Sequence, residues 1–235
     1  MNWGKKWEVF WNAIQKENYR KLIITGLKNT VLIAVLGLLI GIVVGTIIAI
    51  VKVSPKYKRL VRILDKIASF YVAIFRGTPM VVQLLVTYYV LLPTLGLALS
   101  PLMVGILVFG LNSGAYVSEI MRGGINSIDP GQMEAGRALG LSYSKTMIKI
   151  IIPQAIKNIL PTLGNEFITL VKETSVVSFI TVADLYTAFN TLGTNTYSVV
   201  VPYLVMAVIY IILVVLITIL VKILEKGLAK SDRSN

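Results

Sequence analysis

A few polar side chains interrupt segments that are otherwise apolar enough for a membrane. They are Asn112, Ser113, Tyr116 and Glu119 in one stretch and Glu166, Thr169, Lys172 and Glu173 in another, with Arg76 ahead of both. Asn112, Tyr116 and Glu119 stand at i, i+4 and i+7, so a helix puts them on one face; Glu166, Thr169 and Glu173 share a face by the same spacing. Ionisable groups at membrane depth face a bundle interior or a cavity, and they either pair with one another or line a pathway. Carboxylates in a cavity suit an ammonium group, and so an amino acid, above all one with a cationic side chain such as arginine, lysine or histidine. For Glu166, with no basic residue within one turn, substrate or cavity contact is the favoured reading. Glu119 beside Arg76 and Arg122, and Glu173 beside Lys172, are better read as structural pairs. Covalent and acid–base catalysis has little support. The chain has no His and no Cys, which removes the commonest general base, thiolate nucleophiles and zinc–thiolate sites.

The elements that must position these groups are membrane helices. Hydrophobic residues make up 56% of the 235 residues and charged ones 14%, where soluble chains run about 25% charged; mean hydropathy is +0.79. The formal charge of +12 reads as membrane-flanking charge and not as a nucleic-acid surface. Residues 1–20 lack the apolar core of a cleavable signal peptide.

Taken in order, Trp3, Trp7, Phe10, Trp11 and Ile14 fall on one helical face with Lys5 and Lys6 beside it, which predicts an amphipathic helix over residues 1–20 lying in the bilayer interface. A first span is expected at about 30–53, where Gly37, Gly41 and Gly45 at four-residue spacing permit close approach of another helix. Residues 52–62 hold Lys52, Lys56, Lys58, Arg59 and Arg62 with no acid. A second helical region covers 60–92, broken near Arg76, Gly77, Thr78 and Pro79, with the true span placed at 74–92. Further spans are expected at about 102–121, 153–182 (bent at Pro161 and Gly164) and 201–221. Loops 93–101 and 185–201 carry no charge, whereas 52–62, 122–149 and the tail after 221 carry the basic residues. That alternation gives five spans with a cytoplasmic C-terminus and an outer N-terminus. The basic stretch 1–28 runs against it.

Between the third and fourth spans lies a polar, helix-capable island. Gly131 and Gly140 bracket it, Glu134 and Arg137 offer directional contacts, and Met133, Ala135, Gly136 and Leu139 offer small or soft ones. Asp129, Pro130, Glu134 and Arg137 are expensive in hydrocarbon, so the island sits outside the bilayer. A helix kept there between spans suits docking to a partner; the plain alternative is a solvated loop.

The island resembles the signature loop of ATP-binding-cassette importer permeases: Glu134-Ala135, then Gly136 where a second Ala is usual, Gly140 six after Glu134, Ile150 sixteen after it, and Ile152-Pro153 in place of Leu-Pro. Phe75-Arg-Gly-Thr-Pro79 with Val82-Gln83, the segment from Glu119 through Arg122 to Gln132, and Leu170-Val-Lys-Glu-Thr-Ser175 are similar to the polar amino-acid subfamily, the histidine, glutamine and arginine type. The resemblance covers about residues 22–225.

It implies an all-α integral membrane protein with a five-transmembrane-helix permease core at 21–225, a cytoplasmic coupling loop at about 123–152 and a cytoplasmic tail at 226–235. It further implies a second permease subunit, identical or similar, an ATPase dimer on the cytoplasmic face, an extracellular or periplasmic binding protein, and a place in the prokaryotic plasma or inner membrane. Gly131, Glu134, Ala135, Gly136, Arg137, Gly140 and Pro153 are then the coupling helix. Asn112, Ser113, Tyr116, Glu119, Glu166 and Thr169 are candidates for the substrate pathway, and Arg76, Gly77, Thr78, Pro79, Lys172 and Glu173 for structural or gating roles. No Gly-rich phosphate loop with its Lys-Ser/Thr occurs here, so ATP and Mg belong to the partner ATPase, no cofactor or metal is expected on this chain, and the chain is not itself an enzyme. An ion-coupled secondary carrier and a non-transporting membrane scaffold remain the alternatives.

Overall fold

The computed structural model describes residues 2–231, with side chains through Gly227. The expected tail residues 232–235, Arg233 among them, lie outside the described residues, as does the side chain of Lys230. Helices account for nearly all of the structure, and no strand occurs among the described residues.

The amphipathic start forms α1, Trp3–Ile14, capped by Asn2, whose Oδ1 accepts the Lys5 N–H at 3.2 Å. The helix ends at Ile14 and not near residue 20. Lys16 takes an extended conformation, and α2, Glu17–Val53, begins directly after it. Phe10 and Ala13 turn inward against Leu185, Phe189, Leu192 and Val201, while Trp3, Trp7 and Trp11 stay exposed. The single apolar face read from the spacing is therefore split between protein and surroundings. The basic N-terminal helix also sits at the same end of the molecule as the uncharged 185–201 stretch.

At 37 residues, α2 is about 55 Å long, well beyond a hydrocarbon core of about 30 Å. It packs most closely on α5, Pro101–Asn126. The glycine stripe explains the closeness: a Cβ on Gly41 would stand 2.6 Å from Ser113 Oγ, and one on Gly45 would stand 2.7 Å from Val117 Cγ1. The α5 side reciprocates, since a Cβ on Gly110 would stand 2.5 Å from Ile40 Cγ2. Small residues on both helices let their backbones meet, which in lipid supplies dispersion energy where no hydrophobic drive exists between helices.

The second region divides into α3, Arg59–Gly77, and α4, Met80–Thr94, bent by 106°. The break falls at Thr78–Pro79, later than the expected span start at 74. Thr78 precedes a proline and is extended, at φ −124° and ψ 145°. The α3 carbonyls freed at the break are taken up by side chains, described below.

The island forms α6, Pro130–Ala138. A turn Tyr143–Thr146 and a π-turn Met147–Ile151 then lead into α7, Ile152–Glu173, which continues as one helix with Pro161 inside it. A π-turn also precedes Pro93 in α4, where Leu92 N–H reaches Thr87 O, five residues back; Ile152 N–H reaches Met147 O likewise before Pro153. A proline ring collides with the carbonyl four residues back, and one wider turn relieves the collision without ending the helix. A 3₁₀ segment, Thr174–Ile180, follows α7, so the expected span to 182 stops short as an α-helix. The 185–201 loop contains α8, Leu185–Asn195, and the chain ends in α9, Val200–Ser231. Among the described residues three helices are long and apolar enough to cross a membrane, α2, α5 and Val200–Gly227 of α9, or four if the bent pair α3–α4 is one span. The polar α7 is not among them.

Candidate functional site

Glu119, near the end of α5, holds three cations from three helices. Its Oε1 lies 2.8 Å from Lys52 Nζ of α2, and its Oε2 lies 2.7 Å from Arg122 Nη2 and 4.0 Å from Arg76 Nη1 of α3. The Arg76 guanidinium also lies over the Tyr116 ring, 5.3 Å from its centre. The pairing of Glu119 with Arg76 and Arg122 was legible; the contact with Lys52 was not. Lys52 stands seven residues after Gly45, so it shares the glycine face that meets α5, and that register was the available signal.

Further along α5, Asn112 is buried, and its amide is committed to the helix break. Nδ2 donates to Gln83 Oε1 at 2.9 Å and to Phe75 O at 3.2 Å. Gln83 in turn donates to Phe75 O at 2.9 Å and to Thr78 O at 3.0 Å. Two side-chain amides thus satisfy the carbonyls that the 106° bend leaves without helical partners. Gln83, singled out only as part of a motif, is a central residue of this bend.

The neighbouring Ser113 faces the other way. Fully buried, it donates from Oγ to Glu166 Oε1 of α7 at 3.0 Å. Glu166 makes no ion pair among the described residues, so its charge is met by one neutral hydroxyl. The Thr169 hydroxyl donates to Asn165 O at 3.1 Å and is spent within its own helix. Lys172 and Glu173 are exposed and form no salt bridge among the described residues. The residues expected to form one pathway therefore fall into two groups on α5. Asn112, Tyr116 and Glu119 face α3 and its break; Ser113 faces α7 and Glu166.

On the island, Asp129 caps α6 by accepting the Gly131 N–H at 2.8 Å, with Pro130 as the first helical residue. The helix closes on Gly140 at φ +76°, with Leu141 N–H to Gly136 O at 3.0 Å and Gly140 N–H to Arg137 O at 2.9 Å, the two bonds of a glycine-terminated helix end. Gly136 is buried; a Cβ there would lie 2.5 Å from Thr146 Cγ2. The departure from the usual Ala at this position thus has a steric reason. Glu134, Ala135, Arg137 and Leu139 face outward, and Leu139 is 81% exposed. Burial pushes the Tyr143 phenol up from its ordinary pKa; its hydroxyl donates to Val53 O at 2.9 Å and ties the segment after the island to the end of α2.

Comparison with known proteins agrees with this arrangement. The family described as "Binding-protein-dependent transport system inner membrane component" matches residues 37–230. The arginine transport system permease protein ArtQ of Bacillus subtilis (strain 168) is 40% identical over 210 residues, covering 89% of this chain and 94% of that protein. The putative glutamine transport system permease protein GlnP of Rickettsia bellii (strain RML369-C) is 41% identical over 209 residues, with the same coverage of 89% and 94%. A chain from the crystal structure of an amino acid ABC transporter with histidines superposes with a TM-score of 0.81 at 40% identity, covering 89% of this chain and 95% of that one. With the match spanning α2 through α9, this chain belongs to the family of binding-protein-dependent transport system inner membrane components.

Proposed function

We propose that the chain is the permease subunit of an ATP-driven importer of polar, foremost basic, amino acids. The observation that carries this is Glu166, a carboxylate among packed helices whose bond within the chain is one neutral hydroxyl, Ser113. A half-buried carboxylate without a cation loses hydration that a neutral hydroxyl does not make good, and an ammonium or guanidinium from the substrate supplies the missing charge. The relatives named for arginine, glutamine and histidines support an amino-acid cargo, and an acidic site favours the cationic members.

In this reading residues 21–225 form the permease domain, with α2, the bent α3–α4, α5, α7 and α9 as its five-helix core. Residues 1–20 hold the interfacial helix and 226–235 the cytoplasmic tail. The basic segments 52–62 and 122–149 face the cytoplasm of a prokaryotic cell membrane. The family implies a second permease, a nucleotide-binding subunit and a substrate-binding protein. ATP and Mg bind the ATPase pair, which receives α6 through Glu134, Arg137 and the exposed Leu139; Gly131, Ala135, Gly136, Gly140 and Pro153 set its shape. ATP binding moves α6 and turns the cavity outward, and hydrolysis resets it. Ser113, Glu166 and Thr169 line the substrate pathway. Asn112, Tyr116 and Glu119 hold its wall through Arg76, Gly77, Thr78 and Pro79, with Lys172 and Glu173 at the end of α7.

The test is Glu166→Gln, which keeps shape and removes charge. In proteoliposomes holding the whole importer, half-saturation for a cationic amino acid should rise by about tenfold or more, as expected for loss of an ion pair worth ~1.5–3 kcal/mol, with basal ATP hydrolysis unchanged. An unchanged dose-dependence would remove Glu166 from the site.

A further inference from the structure

A cavity of about 500 Å³ lies between the end of α2 and the first turns of α7, with Met121 and Ile125 of α5 behind it. Its wall is apolar except for four hydroxyls, and three of those are spent within the chain. Thr46 and Ser54 donate to Ile42 O and Ile50 O, each at 2.6 Å, and Tyr143 donates to Val53 O at 2.9 Å. The fourth, Ser144, is exposed at one end, and its hydroxyl has no partner among the described residues. A polar solute entering this space would lose its water without replacement, whereas a hydrocarbon chain has none to lose. The dimensions agree. From Ile152 to Leu163 the α7 wall advances eleven residues, about 16 Å of helical rise, close to half of a hydrocarbon core of about 30 Å. The cavity is one leaflet deep. Ile50 of α2 and Ile156 of α7 edge its open side, both exposed, and they continue the exposed apolar face of Val43 and Ile47. Charge sits at the Ser144 end. Lys145 and Lys149 stand one residue on from Ser144 and Ile148 of the wall, exposed and in no ion pair among the described residues. No acid occurs between 143 and 157.

We infer that this cavity takes one acyl chain of an anionic phospholipid from the cytoplasmic leaflet, with the headgroup phosphate held by Lys145, Lys149 and the Ser144 hydroxyl. The inference takes from the functional reading only that the basic segments face the cytoplasm, and it uses none of the residues around Glu166. A second copy of this chain is the rival cover for an apolar opening. A two-fold contact there would set Lys145 and Lys149 near their own counterparts, whereas a lipid phosphate neutralises them. The occupant also joins two elements that the chain links by one side-chain bond, Tyr143 to Val53 O: its chain lies along the end of α2 on one side and along α7 on the other.

The experiment uses the full chain in phosphatidylcholine vesicles containing a trace of phosphatidylglycerol with a photoactivatable diazirine near the end of one acyl chain. Labelled residues are located by peptide mass spectrometry, and unlabelled phosphatidylglycerol or phosphatidylcholine is added in competition. Label on Leu160 and Leu163, deep in the cavity, should yield to phosphatidylglycerol at about tenfold lower mole fraction than to phosphatidylcholine, the order expected of two lysines beside an anionic headgroup. Label on Leu39 and Val43, exposed on α2, should yield to both lipids alike. Lys145→Gln/Lys149→Gln should abolish the preference, and Ile156→Trp, which fills the cavity from an exposed position, should remove the label from Leu160 and Leu163 while keeping it on α2. Equal displacement by the two lipids in wild type would overturn the inference, as would cavity labelling unchanged in both variants. Absence of label at Leu160 and Leu163, with a disulfide between two copies of Ile148→Cys in this Cys-free chain, would give the cavity to a second copy and overturn it too. Should a variant fail to insert, the wild-type competition alone decides. Labelling needs neither ATP nor amino acid, so a failure of arginine uptake would overturn the functional reading and leave this result standing.

Discussion

Gly41→Ala is the substitution that connects packing to the site most directly. The new Cβ would stand 2.6 Å from Ser113 Oγ, 2.7 Å from Ser113 Cβ and 3.2 Å from Gly114 N. Two of these atoms, a Cβ and a backbone nitrogen, cannot move without the helix they belong to. α2 and α5 must therefore separate. Overpacking costs about 1–3 kcal/mol, and with backbone involved we take about 3. Replacing Gly by Ala inside a helix returns about 1 kcal/mol. The net loss is about 2 kcal/mol, which for a chain of this size is a fall of about 4–8 °C in Tm, read by thermal unfolding of the purified complex. The displaced residue is the one that bonds Glu166, so uptake should fall as well. Gly123→Ala, inside α5 where a Cβ meets nothing within 4 Å, should keep uptake and raise Tm by about 2–4 °C through helix preference alone. The double variant Gly41→Ala/Ser113→Gly removes the two shortest contacts and leaves the one to Gly114 N at 3.2 Å, so stability should recover in part while uptake stays low. A Gly41→Ala protein as stable as wild type would refute the packing argument. Recovery of uptake in the double variant would refute the role of Ser113.

Four further outcomes follow from the geometry. Gly136→Ala brings a Cβ to 2.5 Å from Thr146 Cγ2 and 2.7 Å from its Oγ1 and should lower coupled uptake and substrate-stimulated hydrolysis; adding Thr146→Ala, which removes both atoms, should restore both, and wild-type coupling in the single variant would count against the contact. Asp184 is buried and caps α8 by accepting Thr187 N–H at 2.9 Å and Tyr186 N–H at 3.1 Å, so Asp184→Ala should cost about 1–2 kcal/mol. Burial also raises its pKa above the ordinary 3.8, so the folded state holds this proton more tightly than the unfolded one. The stability margin of wild type over Asp184→Asn should grow as pH falls through that raised value toward 3.8, and a margin independent of pH would contradict it. Thr181 ends the 3₁₀ segment at φ +64°, a conformation costing a residue with a Cβ about 1–2 kcal/mol, so Thr181→Gly should raise Tm; an unchanged or lower Tm would show that the strain is compensated.

The long helices were legible because twenty or so apolar residues between basic and uncharged loops leave little else to form, as in α2 and α9. Gly37, Gly41 and Gly45 announced a close helix contact by spacing alone, and Glu119 announced its pairing with Arg122 because the two lie one turn apart. Lys52 did not, because its partner is on another helix and only the register from Gly45 connects them. Asn112 was read as a pathway candidate; that its amide also satisfies the orphan carbonyl of Phe75 could not be seen, because the sequence shows the polar group and not its partner. Pro93 was read as the start of a connection and Pro153 as the start of a span; the π-turn that carries the helix into each proline has no mark in the sequence beyond the proline itself. The 185–201 stretch was read as a loop because it carries no charge and few periodic cues, yet Asp184, buried against α2, starts a helix there. Its fixing bonds, Asn29 Nδ2 to Ala183 O at 2.8 Å and Leu185 N–H to Thr30 Oγ1 at 3.2 Å, join residues far apart in the chain.

The most direct test of import powered by a partner ATPase is uptake of labelled arginine in proteoliposomes that contain this chain, its ATPase and its binding protein. Uptake should stop when luminal ATP is removed and continue when ionophores collapse the proton and sodium gradients. Uptake that survives ATP removal and fails with the gradients would contradict the account and return the chain to the ion-coupled carriers.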